Sequence, residues 1–241
     1  MIQKVPQKFK EVFAKAISYF PELKNASILI HEMHFYGVQH TCRSYPPIVI
    51  LHWRKRNWTY PIVINKNKSF NMPINNMSFN EQVGLFVHEL SHIATYVKFN
   101  RREIIRFSIK YFFNKAFVRK IEKETDLRAI KNGAGIYLLE ERIFEKKYRI
   151  NNPYPEVEDT YLLPSEIIEN LKRYPDLYSK EQIEKCFTKL KAIEILNSVA
   201  FLPKISFVRK IKHALKTIIA FIPAFSEMFY IVTIKKIHLE Q

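Results

Sequence analysis

Five residues constrain this chain more than any other feature: His88-Glu89-Leu90-Ser91-His92. On a helix, residues i and i+4 share one face about one turn apart, so the two imidazoles can grip one metal ion. The intervening carboxylate then stands beside that ion and can address a water on it. A fold that uses this pentad must bury a helix carrying polar groups and must bring a third ligand to it from elsewhere.

The flanks support such a helix over residues 79–98. Ser78-Phe79-Asn80-Glu81 is a capping box, with Ser at the N-cap and Glu at the third helical position. Val83, Phe86, Val87, Leu90, Ala94 and Val97 recur at helical spacing and form a core stripe, with His88, His92, Leu85 and Thr95 beside it. Gly84 inside the helix costs about 1 kcal/mol against Ala, and close packing against a neighbouring element is the expected compensation.

A third ligand is available thirty residues on, in Glu122-Lys123-Glu124-Thr125-Asp126-Leu127-Arg128-Ala129. Glu122 and Asp126 again share a helical face. Val118, Glu122, Thr125 and Ala129 make a mostly small, apolar side, an odd place for a carboxylate without a partner. A metal is such a partner for Glu122, and Asp126 can accept the free N–H of a ligand histidine.

HExxH followed on a second helix by ExxxD resembles the gluzincin metallopeptidases, a group with thermolysin-like and CAAX-protease-like branches. The resemblance implies His88, His92 and Glu122 as zinc ligands, Glu89 as general base and Asp126 as the group that orients a ligand histidine. It covers 79–135, about a quarter of the chain. Residues 122–129 are similar to the E-x-E-A-D-x-x-A variant, with Thr125 where Ala is usual. Hydrolysis of protein or peptide substrates with a Zn²⁺ cofactor is the implied activity. The other reading is a catalytically silent relative that binds metal or a partner.

Other metal readings are weaker. The metzincin pattern needs a Gly and a third His soon after the pentad, and Ile93-Ala94-Thr95-Tyr96-Val97-Lys98 has neither. His31 and His34, in an expected strand, point to opposite faces. His40 and Cys42 can share a face, but two ligands make no site, and His52 adds none beside them.

The rest of the chain has a legible order. Val5, Phe9, Val12, Phe13 and Ala16 suggest an amphipathic first helix ending before Pro21. Three strands follow, at 27–35, 47–53 and 59–65, rich in Ile, Val and aromatics. Helices are expected at 79–98, within 101–114, at 117–132 and 135–149, then at 164–173, 179–199 and 205–222. Strands first and helices after predict an α+β fold: a minimal zincin-like domain over 1–150 with a small sheet, and a helical extension over 151–241. The breaker cluster Asn151-Asn152-Pro153-Tyr154-Pro155 marks the boundary. Strand 59–65, with Pro61 near its start, is the expected edge strand, so Tyr60, Ile62 and Ile64 are the candidate substrate-binding residues. Tyr137, Tyr148, Tyr154, Tyr161 and His213 are the candidates for stabilising an oxyanion.

Charge bears on partners. The chain has a formal net charge of +16. Basic residues cluster around residues 98–120 among Ile104, Ile105, Phe107, Tyr111, Phe112 and Phe113, and again from Lys204 to Lys216. Basic, aromatic-rich helices suit an anionic membrane surface, although an A+T-rich genome also writes Lys, Asn, Ile, Phe and Tyr. No nucleic-acid motif is present. Residues 217–234 are apolar between basic flanks, but Pro223 and Glu227 fall in their middle. A helical hairpin or broken helix packed on the domain is expected there, ahead of interfacial attachment or a span. Lysines interrupt any apolar run near the N-terminus, so no signal peptide is expected and the expected location is the cytoplasm, peripheral to the membrane at most. Two cysteines build no disulfide framework.

Overall fold

Three segments whose Ile, Val and aromatic residues suit a pleated, half-buried surface form the sheet. In the computed structural model, which describes residues 4–34, 41–47, 55, 58–66, 74–151 and 160–199, these are β1 (Ser27–Met33), β2 (Cys42–Ser44) and β3 (Thr59–Asn65). Their order is β1-β3-β2. β1 runs parallel to β3, with Ile30 opposite Ile62, and β2 runs antiparallel to it, with Arg43 opposite Val63. The expected strand 47–53 lies outside the described residues apart from Pro47, which is not in a strand.

β3 is the central strand and not the expected edge. Its sides are taken by β1 and by β2, whose pairing continues through Asn65 N–H to Thr41 O at 2.9 Å and Tyr45 N–H to Pro61 O at 3.0 Å. Tyr60, Ile62 and Ile64 are buried in the core and present no edge to a substrate. Pro61 is tolerated because its missing donor sits near the strand's start, beside an acceptor that is used.

Among the described residues there are seven α-helices, of which α2 packs on β2: α1 (Lys10–Ile17), α2 (Phe79–Tyr96), α3 (Arg101–Phe113), α4 (Lys115–Lys131), α5 (Gly135–Asn151), α6 (Pro164–Leu171) and α7 (Lys180–Val199). The architecture is mixed α and β, and mostly helical. Residues 4 and 5 do not join the first helix; Lys4 bridges to Leu29 beside β1 instead.

α2 is the central element. The capping box forms as the sequence predicts: Glu81 N–H donates to Ser78 Oγ at 3.4 Å and Ser78 N–H donates to Glu81 Oε2 at 2.6 Å. Phe86 packs edge-on against Phe9 and Phe13 at 5.8 and 5.9 Å, which seats α1 on α2; such pairs contribute about 0.5–1.5 kcal/mol each beyond their burial. α5 crosses α2 so closely at Gly84 that a Cβ there would overlap the carbonyl of Tyr137. Glycine is therefore what lets the two helices meet. α4 ends as expected at Gly133, whose φ of 88° is the left-handed conformation of a helix C-cap.

α6 and α7 pack on α4 and α5, and Leu162, Ile167, Ile168, Leu171 and Leu190 join the same buried cluster as α2. Of the expected boundary at 151–155, residues 152–155 lie outside the described residues, as do the expected helix 205–222 and the apolar stretch 217–234. Among the described residues no helix is long and apolar enough to cross a membrane.

Candidate metal centre

Most buried polar side chains of the described chain converge on one place. Buried polar groups need partners, and here the partners are one another. α2 contributes His88, Glu89 and His92, and α4 contributes Glu122, Thr125 and Asp126. Asp126 has no exposed surface and Glu122 is 2 % exposed.

His88 Nε2 and His92 Nε2 are 3.2 Å apart, and Glu122 Oε2 is 3.1 Å from each of them. Tetrahedral zinc with bonds of about 2.0–2.1 Å places its ligand atoms about 3.3–3.4 Å apart. The observed triangle is close to one face of that tetrahedron. The far nitrogens are occupied from behind: His88 Nδ1 lies 2.8 Å from Asp126 Oδ1, and His92 Nδ1 lies 3.3 Å from Thr125 Oγ1. Donation of the Nδ1 proton to Asp126 leaves the His88 Nε2 lone pair facing the carboxylate. Convergent lone pairs and an anionic oxygen repel one another unless a cation lies between them. These residues therefore fit a metal ion, and among the described residues they are the group of three that can hold one.

The electrostatics agree. Burial works against a charged His88, yet hydrogen bonds to Asp126 and Glu122 outweigh it and raise its pKa to about 10. Burial likewise opposes a charged Glu122, but the two imidazoles hold it well below the usual carboxylate range. The bare chain keeps a positive charge at this spot, as a proton. Metal and proton then compete for the same nitrogen.

Glu89 stands beside the triangle. Its Oε2 accepts the backbone N–H of Ser44 at 2.5 Å, so β2 fixes the carboxylate and the sheet meets the site. Because Arg43 is the hydrogen-bonded partner of Val63 in an antiparallel ladder, the amides and carbonyls of Cys42 and Ser44 point away from β3. Among the described residues, the strand edge beside the site is thus β2.

Several contributors were not singled out from the sequence. Arg142 on α5 donates to Asp126 Oδ1 at 3.1 Å and to Glu141 at 2.5 Å, and the Leu162 N–H donates to Asp126 Oδ2 at 3.0 Å. With burial opposing it, Asp126 is held below its ordinary pKa by Arg142, His88 and that amide. Tyr111 on α3 hydrogen-bonds Glu122 Oε1, the oxygen that does not face the histidines. The Arg43 guanidinium lies 5.5 Å from the Tyr111 ring and 5.6 Å from the Tyr45 ring. Arg142 carried a signal in the sequence: a charge at i+4 from Leu138 and i+3 from Leu139, inside an apolar stripe.

Of the five oxyanion candidates, Tyr161 reaches the site, its ring 5.4 Å from that of His88 and under Arg142 at 4.4 Å. Tyr137 pairs with Tyr19, and Tyr148 stacks on Phe144, on other parts of α5. Tyr154 and His213 lie outside the described residues, as do His40 and His52. Glu124 is exposed and pairs with Lys120 at 3.8 Å, turned away from the triangle.

Comparison with protein-family models, curated proteins and solved structures gives no match.

Proposed function

We propose that the chain is a zinc-dependent peptidase with a minimal zincin-like fold of gluzincin type. The observation that carries this reading is the convergence of His88 Nε2, His92 Nε2 and Glu122 Oε2, with a separate carboxylate, Glu89, on the same helix and tied to a strand edge. A purely structural polar cluster has no need of a second carboxylate, Glu89, that has no ion-pair partner among the described residues.

His88, His92 and Glu122 would hold the ion, and Asp126 and Thr125 would keep the two imidazoles turned toward it. A zinc ion in that cradle supplies a Lewis acid that acidifies water and polarises a carbonyl. Glu89 takes one proton from the attacking water as its oxygen bonds to the scissile carbonyl carbon. The same carboxyl then gives that proton to the leaving amine nitrogen as the C–N bond breaks, so hydrolysis balances without another reactant. The Ser44 amide occupies Oε2 and leaves Oε1 for this transfer. Tyr161 is the phenol best placed to donate to the developing oxyanion. The β2 edge at Cys42 and Ser44, in place of β3, is the strand a peptide would extend.

Elemental analysis and hydrolysis of an unfolded protein test the reading together. The protein should carry about one zinc per chain. Glu89→Gln should keep that zinc while hydrolysis falls by about 10²–10⁴-fold. Folded protein that takes up no zinc on reconstitution overturns the proposal. Full zinc without Glu89-dependent hydrolysis replaces it with a silent metal-binding protein.

A further inference from the structure

α3 breaks the usual rule for a surface helix. Its inner face is in the core: Ile104 and Phe107 are buried, and Phe107 meets the rings of Tyr96, Phe99, Tyr111 and Phe117 at 5.4–5.6 Å. Its outer face is also apolar. Ile105 is 39 % exposed, Ile109 54 %, Phe112 53 % and Phe113 78 %. At about 100° per residue these four fall within one arc of roughly 100°, well away from the buried face. They are most of the large exposed hydrophobics among the described residues. A helix that is apolar on both faces is expected to be covered on both.

The charges say by what. Residues 98–120 hold eight basic side chains and one acidic one, Glu103, which is committed to the helix cap through the Asn100 N–H at 2.7 Å. Arg106 and Lys110 lie to one side of the apolar arc, Arg102 falls within its angular span in the first turn, and Lys115, Arg119 and Lys120 follow at the start of α4; all six are exposed. Among the described residues, Arg102, Arg106, Lys115 and Arg119 have no ion-pair partner. Unneutralised cations around an exposed apolar stripe match the headgroup-over-acyl profile of an anionic bilayer. A nucleic acid would use the charges and leave Ile105, Ile109 and Phe113 without a role.

We propose that the outer face of α3 docks the protein on an anionic phospholipid bilayer, with Ile105, Ile109, Phe112 and Phe113 in the interface and the surrounding arginines and lysines at the headgroups. The same helix carries Tyr111, which touches Glu122, so the bilayer-facing element also walls the metal centre. If the peptidase reading holds, substrates are polypeptide segments presented at the membrane surface. The docking itself does not depend on that reading.

Both native cysteines are buried, so Phe113→Cys in the full chain can carry a single polarity-sensitive fluorophore. Its emission should be that of water in solution and should shift to the blue on vesicles of phosphatidylcholine mixed with phosphatidylglycerol. No shift should appear on phosphatidylcholine alone, and salt should reverse the shift. Unlabelled protein with Phe112→Ser and Phe113→Ser together should bind the anionic vesicles at least about ten-fold more weakly, with unchanged zinc content. An absent shift, or equal binding by the double variant, overturns the proposal. A blue emission without vesicles also overturns it. If that emission depends on protein concentration, the occupant is a second copy of the chain; if it does not, the occupant is a segment of the chain itself, such as 217–234. Zinc stoichiometry is read separately, so failure of the docking and failure of the metal site cannot be confused.

Discussion

Helices α2 and α3 are neighbours in the chain and invert the same rule in opposite directions. α2 turns polar groups inward: His88, Glu89 and His92 are buried. α3 turns apolar groups outward: Ile109, Phe112 and Phe113 are more than half exposed. Buried polar and exposed apolar surfaces are the two informative departures in a folded chain. The contrast also shows what each departure needs. The inward polar groups find their partners within the protein, in Asp126, Glu122, Thr125 and the Ser44 amide. The outward apolar groups stay largely exposed among the described residues, although Phe112 and Phe113 meet each other, and theirs is the surface that the proposed docking on a bilayer would cover.

The comparison breaks first at the second carboxylate. Glu122→Ala removes one corner of the triangle and leaves two imidazoles without their shared anion, so bound zinc should be lost altogether. Glu124→Gln, two residues away on an exposed face, should leave zinc content unchanged. Elemental analysis of the two variants in parallel checks this, and the opposite result would mean the wrong carboxylate has been placed in the site. Asp126→Asn should act more mildly. It keeps the shape but weakens the hold on His88 Nδ1, which should lower zinc affinity by about 10–100-fold in a competition titration against a chelator.

How much of this was legible in the sequence follows from what each feature depends on. The helices carrying the candidate metal centre depend on local signals: Ser78 and Glu81 form the expected cap, His88 and His92 share one face, and Gly133 ends the second helix. The triangle was legible because i, i+4 spacing puts His88 and His92 on one face of the first helix, and Glu122 with its neighbour Asp126 on one face of the second. Strand order was not. Whether β3 is central or peripheral depends on a three-residue strand, Cys42–Ser44, too short to show a period of two. The partners behind the ligands were hidden for a different reason. Tyr111, Arg142 and the amides of Ser44 and Leu162 come from four separate segments, and no spacing within one helix joins them. Thr125 was legible as a member of the small, apolar face with Glu122 and as a departure from Ala, but not as the partner of His92 Nδ1.

A smaller effect tests the inward side of the comparison by pH. Arg142 faces three carboxylates, Asp126, Glu141 and Glu145. One guanidinium cannot neutralise them all. Burial raises the Glu141 pKa to about 7, with Arg142 opposing the shift and Glu145 adding to it. The folded pKa lies above the unfolded one, so the fold favours the protonated form. Wild-type stability is therefore fullest below the unfolded value, about 4.3. It falls as pH rises through the window up to about 7, and the effect is complete above it. Glu141→Gln cannot ionise, so its stability relative to wild type should improve across that window, by on the order of a few kcal/mol at most. Urea unfolding of both metal-stripped proteins at about pH 5 and about pH 8 measures this. A constant difference between them would show that Glu141 is ionised throughout.

The smallest effect belongs to the outward side, and its smallness is the point. Phe113 is 78 % exposed and meets Phe112 at a ring distance of 4.7 Å. Replacing it by Ser removes little buried surface and opens no cavity in the protein. Phe113→Ser should therefore change the unfolding free energy in solution by no more than about 0.5 kcal/mol. On the inner face of the same helix, Phe107→Ala leaves a void among four aromatic rings, and truncations of that kind cost about 3–5 kcal/mol. Urea unfolding of the two variants in vesicle-free buffer separates a helix face that holds the fold from one that faces outward. A loss from Phe113→Ser comparable to that from Phe107→Ala would mean that the outer face of α3 is already covered in solution. The apolar arc would then be part of the core, and the contrast between the two helices would reduce to the metal centre alone.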